Sequence, residues 1–277
     1  MSRVLLVACC LLACGKDRTA SEPSPRPSSP TTTTDQSPKV APTTAADPDL
    51  ERDQREYVDD VVAFTKSTAE AVRTRMKRGS EPLKEEWLAW EKKGPMTNDR
   101  ITAFYKQTTN YIYELAEWHL WVPDKRASDV QLVADMRTVK AKNILDFGGG
   151  VGLIALPLAR AGFDVTLADL SGTSLDFAQF RAKNHNINVK IWKTDVDAAP
   201  PDKKYDVILC MDVLEHLPRE VLNDVVDKLI KLKHAGTRIV IAAPFGRTSV
   251  HPMHLDADDN TKLQVKRLQE ELPPDAG

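Results

Sequence analysis

The sequence predicts an α/β fold: a doubly wound, mostly parallel sheet with strand order 3-2-1-4-5 and an N-terminal helical cap. Two observations predict it. Between Asn143 and Ser171, an apolar run ending on Asp146 leads into a glycine-rich turn and a helical apolar pattern closed by Gly162; a second run, Val165–Ala168, then ends on Asp169. Strand, glycine turn, helix, strand and acid in that order make half of a nucleotide-binding sheet. Downstream, Tyr205–Cys210 and Arg238–Ala243 read as buried parallel strands joined by a helix with Val221, Leu222, Val225 and Val226 on its inner face.

The turn holds Gly148, Gly149, Gly150 and Gly152. Glycine reaches backbone angles closed to other residues and lets a ligand touch the main chain. Asp169 follows at the distance where an acid accepts hydrogen bonds from ribose hydroxyls. An adenosine-type ligand is therefore expected at the carboxyl ends of the first two strands. Two patterns fit the same residues. Gly150, Gly152 and Ala155 satisfy the dinucleotide form G-x-G-x-x-A, and Asp146, Gly148, Gly150 and Gly152 satisfy D-x-G-x-G-x-G.

The second pattern resembles the first motif of the class I S-adenosylmethionine-dependent methyltransferases, which have a Rossmann-like sheet. Asp212–Pro218, D-V-L-E-H-L-P, resembles the loop after strand four in small-molecule enzymes of the ubiquinone-biosynthesis type. The Asn/Asp-Pro-Pro-Tyr segment of enzymes that methylate base amines or glutamine amides does not stand there. The resemblance implies S-adenosylmethionine as cofactor and a small molecule as methyl acceptor. Gly148, Gly150 and Gly152 would admit the cofactor, Asp146 would orient its amino acid part, Asp169 the ribose and Asp195 the adenine. Leu170, Val196 and Met211 would be further cofactor contacts, and Asp212 and His216 would border the transfer site. Strands six and seven of such a sheet are expected after strand five; here Asp258 to Glu271 reads as one charged helix ended by Pro273-Pro274.

Strand five runs into the loop Pro244–Asp256, which carries His251 and His254. Loops at this end of a sheet gather functional groups. Imidazole titrates near neutrality, so His251, His254 and His216 are the candidate catalytic groups for a substrate hydroxyl or amine. The spacing of the two loop histidines and Asp256 is not diagnostic of a metal, and no metal is expected.

Before the sheet, Leu50 to about Arg78 is expected as helix, broken by Gly79-Ser80. A short helix follows from Pro82 with Trp87 and Trp90. Thr97 is an N-cap candidate for a helix to about Trp121, and Asp124–Val139 reads as one more. The Thr97–Trp121 stretch is densely aromatic. Tyr105, Tyr111 and Tyr113 are the candidates for a lid over cofactor and substrate.

A net charge of −2 gives no general attraction to nucleic acid. Past residue 14 the only cysteine is Cys210, so that part forms no internal disulfide. Val4–Ala13 is too short to span a bilayer and fits the core of a secretory signal. Leu11-Leu12-Ala13-Cys14 resembles the lipobox of bacterial lipoproteins, which implies lipid at Cys14. In residues 15–49, 19 of 35 are Pro, Ser or Thr and none is aromatic, the composition of a disordered linker. The expected organisation is signal and lipobox 1–14, linker 15–49, helical cap 50–139, methyltransferase-like domain 140–257 and C-terminal helix and tail 258–277. A lipid-anchored location is expected, with a cytoplasmic one as the alternative. The competing functions are a non-catalytic tethered nucleoside-binding protein and an NAD(P)-dependent enzyme.

Overall fold

The structure, a computed structural model, describes Asp47 and residues 49–197 and 199–270. Cys14, the expected signal and nearly all of the expected linker lie outside the described residues. Six helices precede the sheet: α1 (Leu50–Thr65), α2 (Ala69–Met76), α3 (Glu81–Glu91), α4 (Asn98–Gln107), α5 (Tyr111–Ala116) and α6 (Pro123–Thr138), with a π-turn at Glu117–Trp121. Then β1 (Asn143–Phe147), α7 (Ala155–Arg160), β2 (Asp164–Asp169), α8 (Thr173–Asn184), β3 (Lys190–Lys193), β4 (Tyr205–Met211), α9 (Arg219–Lys231), β5 (Lys233–Ala242) and α10 (Asp259–Gln269) follow. The sheet order is β3-β2-β1-β4-β5 and every pairing is parallel, as expected.

Parallel pairing fixes where the site lies. Asp146 is level with Leu167 and Leu209, Asp169 with Lys193, and Met211 with Ala242. All five strands thus end at one rim, and the loops that leave them share one space. Both faces are covered. Leu145, Ile208, Cys210, Leu222, Val226 and Leu229 pack on one side, and Ile144, Leu158, Leu167, Leu175 and Val207 on the other. The cap shares a core with the sheet layer, since Tyr57, Ile112, Val151 and Phe177 form one cluster.

Local chemistry shifts several expected boundaries. The first helix divides at Lys66–Thr68, where Lys66 takes a left-handed φ of 59° and the Thr68 hydroxyl accepts from the Ala71 N–H. The helix expected from Thr97 to Trp121 divides at Thr108. Its hydroxyl donates to Glu86 Oε2 at 2.6 Å and accepts from Asn110 N at 3.2 Å, so side-chain bonds replace the helical ladder there. Gly152, at φ 76°, delays α7 to Ala155. β5 starts five residues early, at Lys233, with an irregular register opposite Tyr205 and Val207. Beyond it, Asp258 caps α10 through a reciprocal bond with Thr261. Leu268 of α10 is buried with Leu222, Val226 and Leu229 of α9, and Ile239 and Ile241 of β5 pack against the same cluster. Among the described residues the sheet has five strands, and α10 packs beside the last of them.

Candidate functional site

Above the rim lies a cavity of about 400 Å³. Its floor is the glycine turn; Asp146, Asp169, Asp195, Met211 and Asp212 supply its sides, and Tyr105, Tyr111, Leu115 and His119 of the cap close it. The cap is held down by a close backbone approach. A Cβ on Gly172, at the start of α8, would stand 2.5 Å from the Lys106 carbonyl oxygen. Only glycine lets the end of α4 rest there, which brings Tyr105 and Lys106 over the cavity.

The strand-end carboxylates differ in exposure: Asp146 is buried, Asp169 half-buried and Asp212 exposed. Asp146 is buried, receives a hydrogen bond from the Ala155 N–H and leaves Oδ2 without a partner. Burial, with the nearby Asp169 charge, pushes its carboxyl up to about 7. Burial also pushes Asp169 up to about 6, against hydrogen bonds from Gly150 N at 2.7 Å and Leu170 N at 2.6 Å. Asp212 sits at a left-handed φ of 56°, strained for a non-glycine residue, and desolvation raises its carboxyl too. Asp195 differs. Burial would raise it, but Lys106 Nζ at 2.6 Å, Ser171 N at 2.6 Å and Ser171 Oγ at 2.8 Å hold it below the usual carboxylate range.

The turn's amides are already engaged. Gly148 N and Gly149 N donate to the Ala168 carbonyl at 2.7 and 3.3 Å, Gly150 N to Asp169 and Gly152 N to the Gly149 carbonyl at 2.9 Å. A pyrophosphate would need such N–H groups at a helix start. The turn instead folds over Asp146: a Cβ on Gly149 would stand 2.6 Å from Asp146 Oδ2 and collide with Leu167.

The structure gathers Asp146, Gly148, Gly150, Asp169, Leu170, Asp195, Met211, Asp212, His216, Tyr105 and Tyr111 around one space. Gly152 lies just beneath, at φ 76°, facing Leu156. Four other expected residues do not line this cavity. Val196 is 62% exposed and off the cavity wall, because the turn after β3 points it outward. Tyr113 faces the cap core under the Arg75 guanidinium, since helical spacing turns it away from Tyr111. His251 and His254 do not line the cavity either. His254 packs edge-on behind His216, 4.8 Å between ring centroids, and His251 stacks on His254 at 4.9 Å.

Of the three histidines, His216 alone reaches the wall. Tyr105 OH lies 2.9 Å from its Nδ1, and burial pushes its imidazole down to about 3, so it is neutral at neutral pH. Glu215 is fully buried with neither oxygen partnered, and burial raises it to about 8. Glu215, His216 and His254 each place one ligand atom within 4.8 Å of the others, a donor set able to hold a divalent ion. Sequence spacing gave no sign of that grouping, nor of a second one at the opposite wall. There His119 Nδ1 lies 2.6 Å from Asp129 Oδ2, and Lys125 Nζ donates to Asp129 Oδ1 at 2.7 Å. The sequence contains only a histidine between two tryptophans at this point; nothing local marks it as a site residue.

The raised Asp146 carboxyl has a consequence for stability. A folded pKa above the unfolded value of about 3.9 means the folded chain binds the proton more tightly, so stability falls as pH rises from about 4 to about 7. Asp146→Asn removes that loss. Urea titrations should show little gain below about pH 4, a gain that grows between, and its full value above about pH 7. A gain independent of pH would show that Asp146 is not held in this way.

Residues 144–236 match the model of a family described as methyltransferase domain. Ubiquinone biosynthesis O-methyltransferase of Rickettsia akari is 38% identical over 81 residues, 29% of this chain and 32% of that one. The enzyme of the same description from Coxiella burnetii (strain Dugway 5J108-111) is 32% identical over 107 residues, 35% of this chain and 46% of its own. The match thus spans between about a third and a half of these relatives' length. Among solved structures, the N-methyltransferase NodS from Bradyrhizobium japonicum WM9 has a TM-score of 0.44 at 19% identity, covering 52% of this chain and 74% of that one. TehB from Haemophilus influenzae has a TM-score of 0.40 at 23% identity, covering 50% and 49%. Asp169 lines the same cavity as Asp146, whose orphaned Oδ2 lacks a donor such as an ammonium. Over residues 144–236 the chain is similar to the methyltransferase domain family.

Proposed function

We propose that the chain transfers the methyl group of S-adenosylmethionine to a hydroxyl of a small molecule. One observation carries this reading: Asp146, Asp169 and Asp212 line a single cavity, and none has an ion-pair partner among the described residues. Desolvated carboxylates without cations favour a ligand that brings positive charge and hydroxyl donors. A sulfonium nucleoside with an ammonium does both. The engaged amides of the glycine turn disfavour a dinucleotide, whose pyrophosphate they would have to serve. The hydroxyl acceptor is taken from the names of the partial relatives.

When bound, the cofactor supplies an electrophilic methyl on sulfur, so the protein has chiefly to align and to desolvate. Asp169 would hold the ribose and Asp195, kept ionised by Lys106 and Ser171, the adenine amino group. Val213, Leu217, Pro218, Val221 and Val225 form an apolar wall suited to the body of the acceptor. Tyr105, fixed by its bond to His216 Nδ1, would orient the acceptor hydroxyl. The Asp212 carboxylate, made more basic by desolvation, would take its proton.

Calorimetry of the full chain with S-adenosylhomocysteine tests the reading. Binding is expected, and Asp169→Ala should weaken it roughly 10- to 100-fold, the loss of a charged hydrogen-bond acceptor. Equal binding by both proteins would remove Asp169 from the site. No binding by the parent would end the methyltransferase reading.

We also propose that Cys14 carries lipid and holds the domain at a membrane surface through the linker. Cells fed labelled fatty acid should label the parent and not Cys14→Ala. An unlabelled parent contradicts the anchor.

A further inference from the structure

The amino acid part of the cofactor brings a carboxylate as well as an ammonium. That carboxylate must find a donor in a space walled by Asp146 and Asp212, which repel it. The turn's amides are spent on Ala168, Asp169 and Gly149. Lys106 is engaged by Asp195. Lys125 is buried, with its Nζ on Asp129. Lys228 lies on α9, two turns along the apolar wall from Val221. His216 gives its Nδ1 to Tyr105, and burial keeps its ring neutral.

His119 remains. It stands on the π-turn, a distortion frequent at functional sites, and lines the cavity. Its Nδ1 is held by Asp129, and Nε2 has no hydrogen-bond partner among the described residues. Asp129 is well placed to stabilise a positive imidazole: hydrogen bonds from His119 and Lys125 outweigh burial and keep it ionised. The side chains of His119 and Asp129 are each only 11% exposed, so their attraction is weakly screened. His119 also lies close enough to Asp212 to act on its carboxyl, at the transfer end of the cavity.

We infer that His119 Nε2 donates to the α-carboxylate of the cofactor's amino acid part, and that Asp129 is the positioning residue that fixes the ring through Nδ1. This rests on the cofactor reading above. With Nδ1 donating to Asp129, donation from Nε2 requires the imidazolium form, in which both ring nitrogens carry hydrogen.

The test compares two ligands by calorimetry on the full chain. S-adenosylhomocysteine has the amino acid part; 5′-methylthioadenosine keeps the nucleoside and thioether without it. His119→Ala should bind the first roughly 10- to 100-fold more weakly, the range of one hydrogen bond between charged groups. It should bind the second within about twofold of the parent, because the nucleoside subsite is untouched. His119→Gln, which keeps a donor, should recover part of the loss. If both ligands weaken alike in both variants, His119 only supports the fold, and the assignment falls. Unchanged affinity for S-adenosylhomocysteine refutes it too. A parent that binds neither ligand removes the cofactor reading, and this assignment with it.

Discussion

Strand-end carboxylates gathered at one cavity, with no ion-pair partner among the described residues, are the constraint on which the rest of the site depends. A charged group removed from solvent is costly unless paired, and the usual response is to keep its proton. Asp146 and Asp169 are pushed up to about 7 and about 6, and the Asp212 carboxyl is raised as well. The fold concentrates them because parallel strands finish at one edge, so acids at the ends of β1, β2 and β4 share a space. Their proximity is a cost to the empty protein and an attraction for a ligand carrying positive charge.

The cap turns a groove into a cavity. Without it, the same acids would be better solvated and closer to their ordinary properties. It is tied to the sheet layer by packing, with Tyr57 edge-on to Phe177 at 5.5 Å, and by Arg181, which donates to the Val151 carbonyl and to Asp60. The contact of Gly172 with the Lys106 backbone sets its height over the rim. The cap then contributes side chains of its own: Tyr105 beside His216, and His119 on the cavity wall near Asp212. Burial and recognition therefore come from the same helices.

How much of this was legible in the sequence depends on range. Asp146, the glycines and Asp169 could be read because strand, turn and helix lie within one short stretch and each obeys a local rule. The sheet order and the proposed cofactor followed from them and from Asp212–Pro218. Side-chain direction was harder. Tyr105, Tyr111 and Tyr113 look alike in the sequence, but the break at Thr108 sets the rotation of α5 and sends Tyr113 into the cap core. Val196 follows Asp195 immediately, yet a turn separates their directions. His251 and His254 sit on the expected loop, but the ring of His216 stands between them and the cavity. The pairing of His119 with Asp129 depends on a π-turn, and no periodicity in the residues announces one. What eluded the sequence was set by contacts between elements that are distant along the chain or by irregular backbone.

The most direct measurement of the central claim is the titration of the aspartate carboxyl carbons by NMR, with Asp146→Asn and Asp169→Asn for assignment. In the free protein the two resonances should show midpoints at about 7 and about 6, and S-adenosylmethionine should move both toward the ordinary carboxylate range. Midpoints near 4 in the free protein, or midpoints that the bound cofactor leaves in place, would contradict the account.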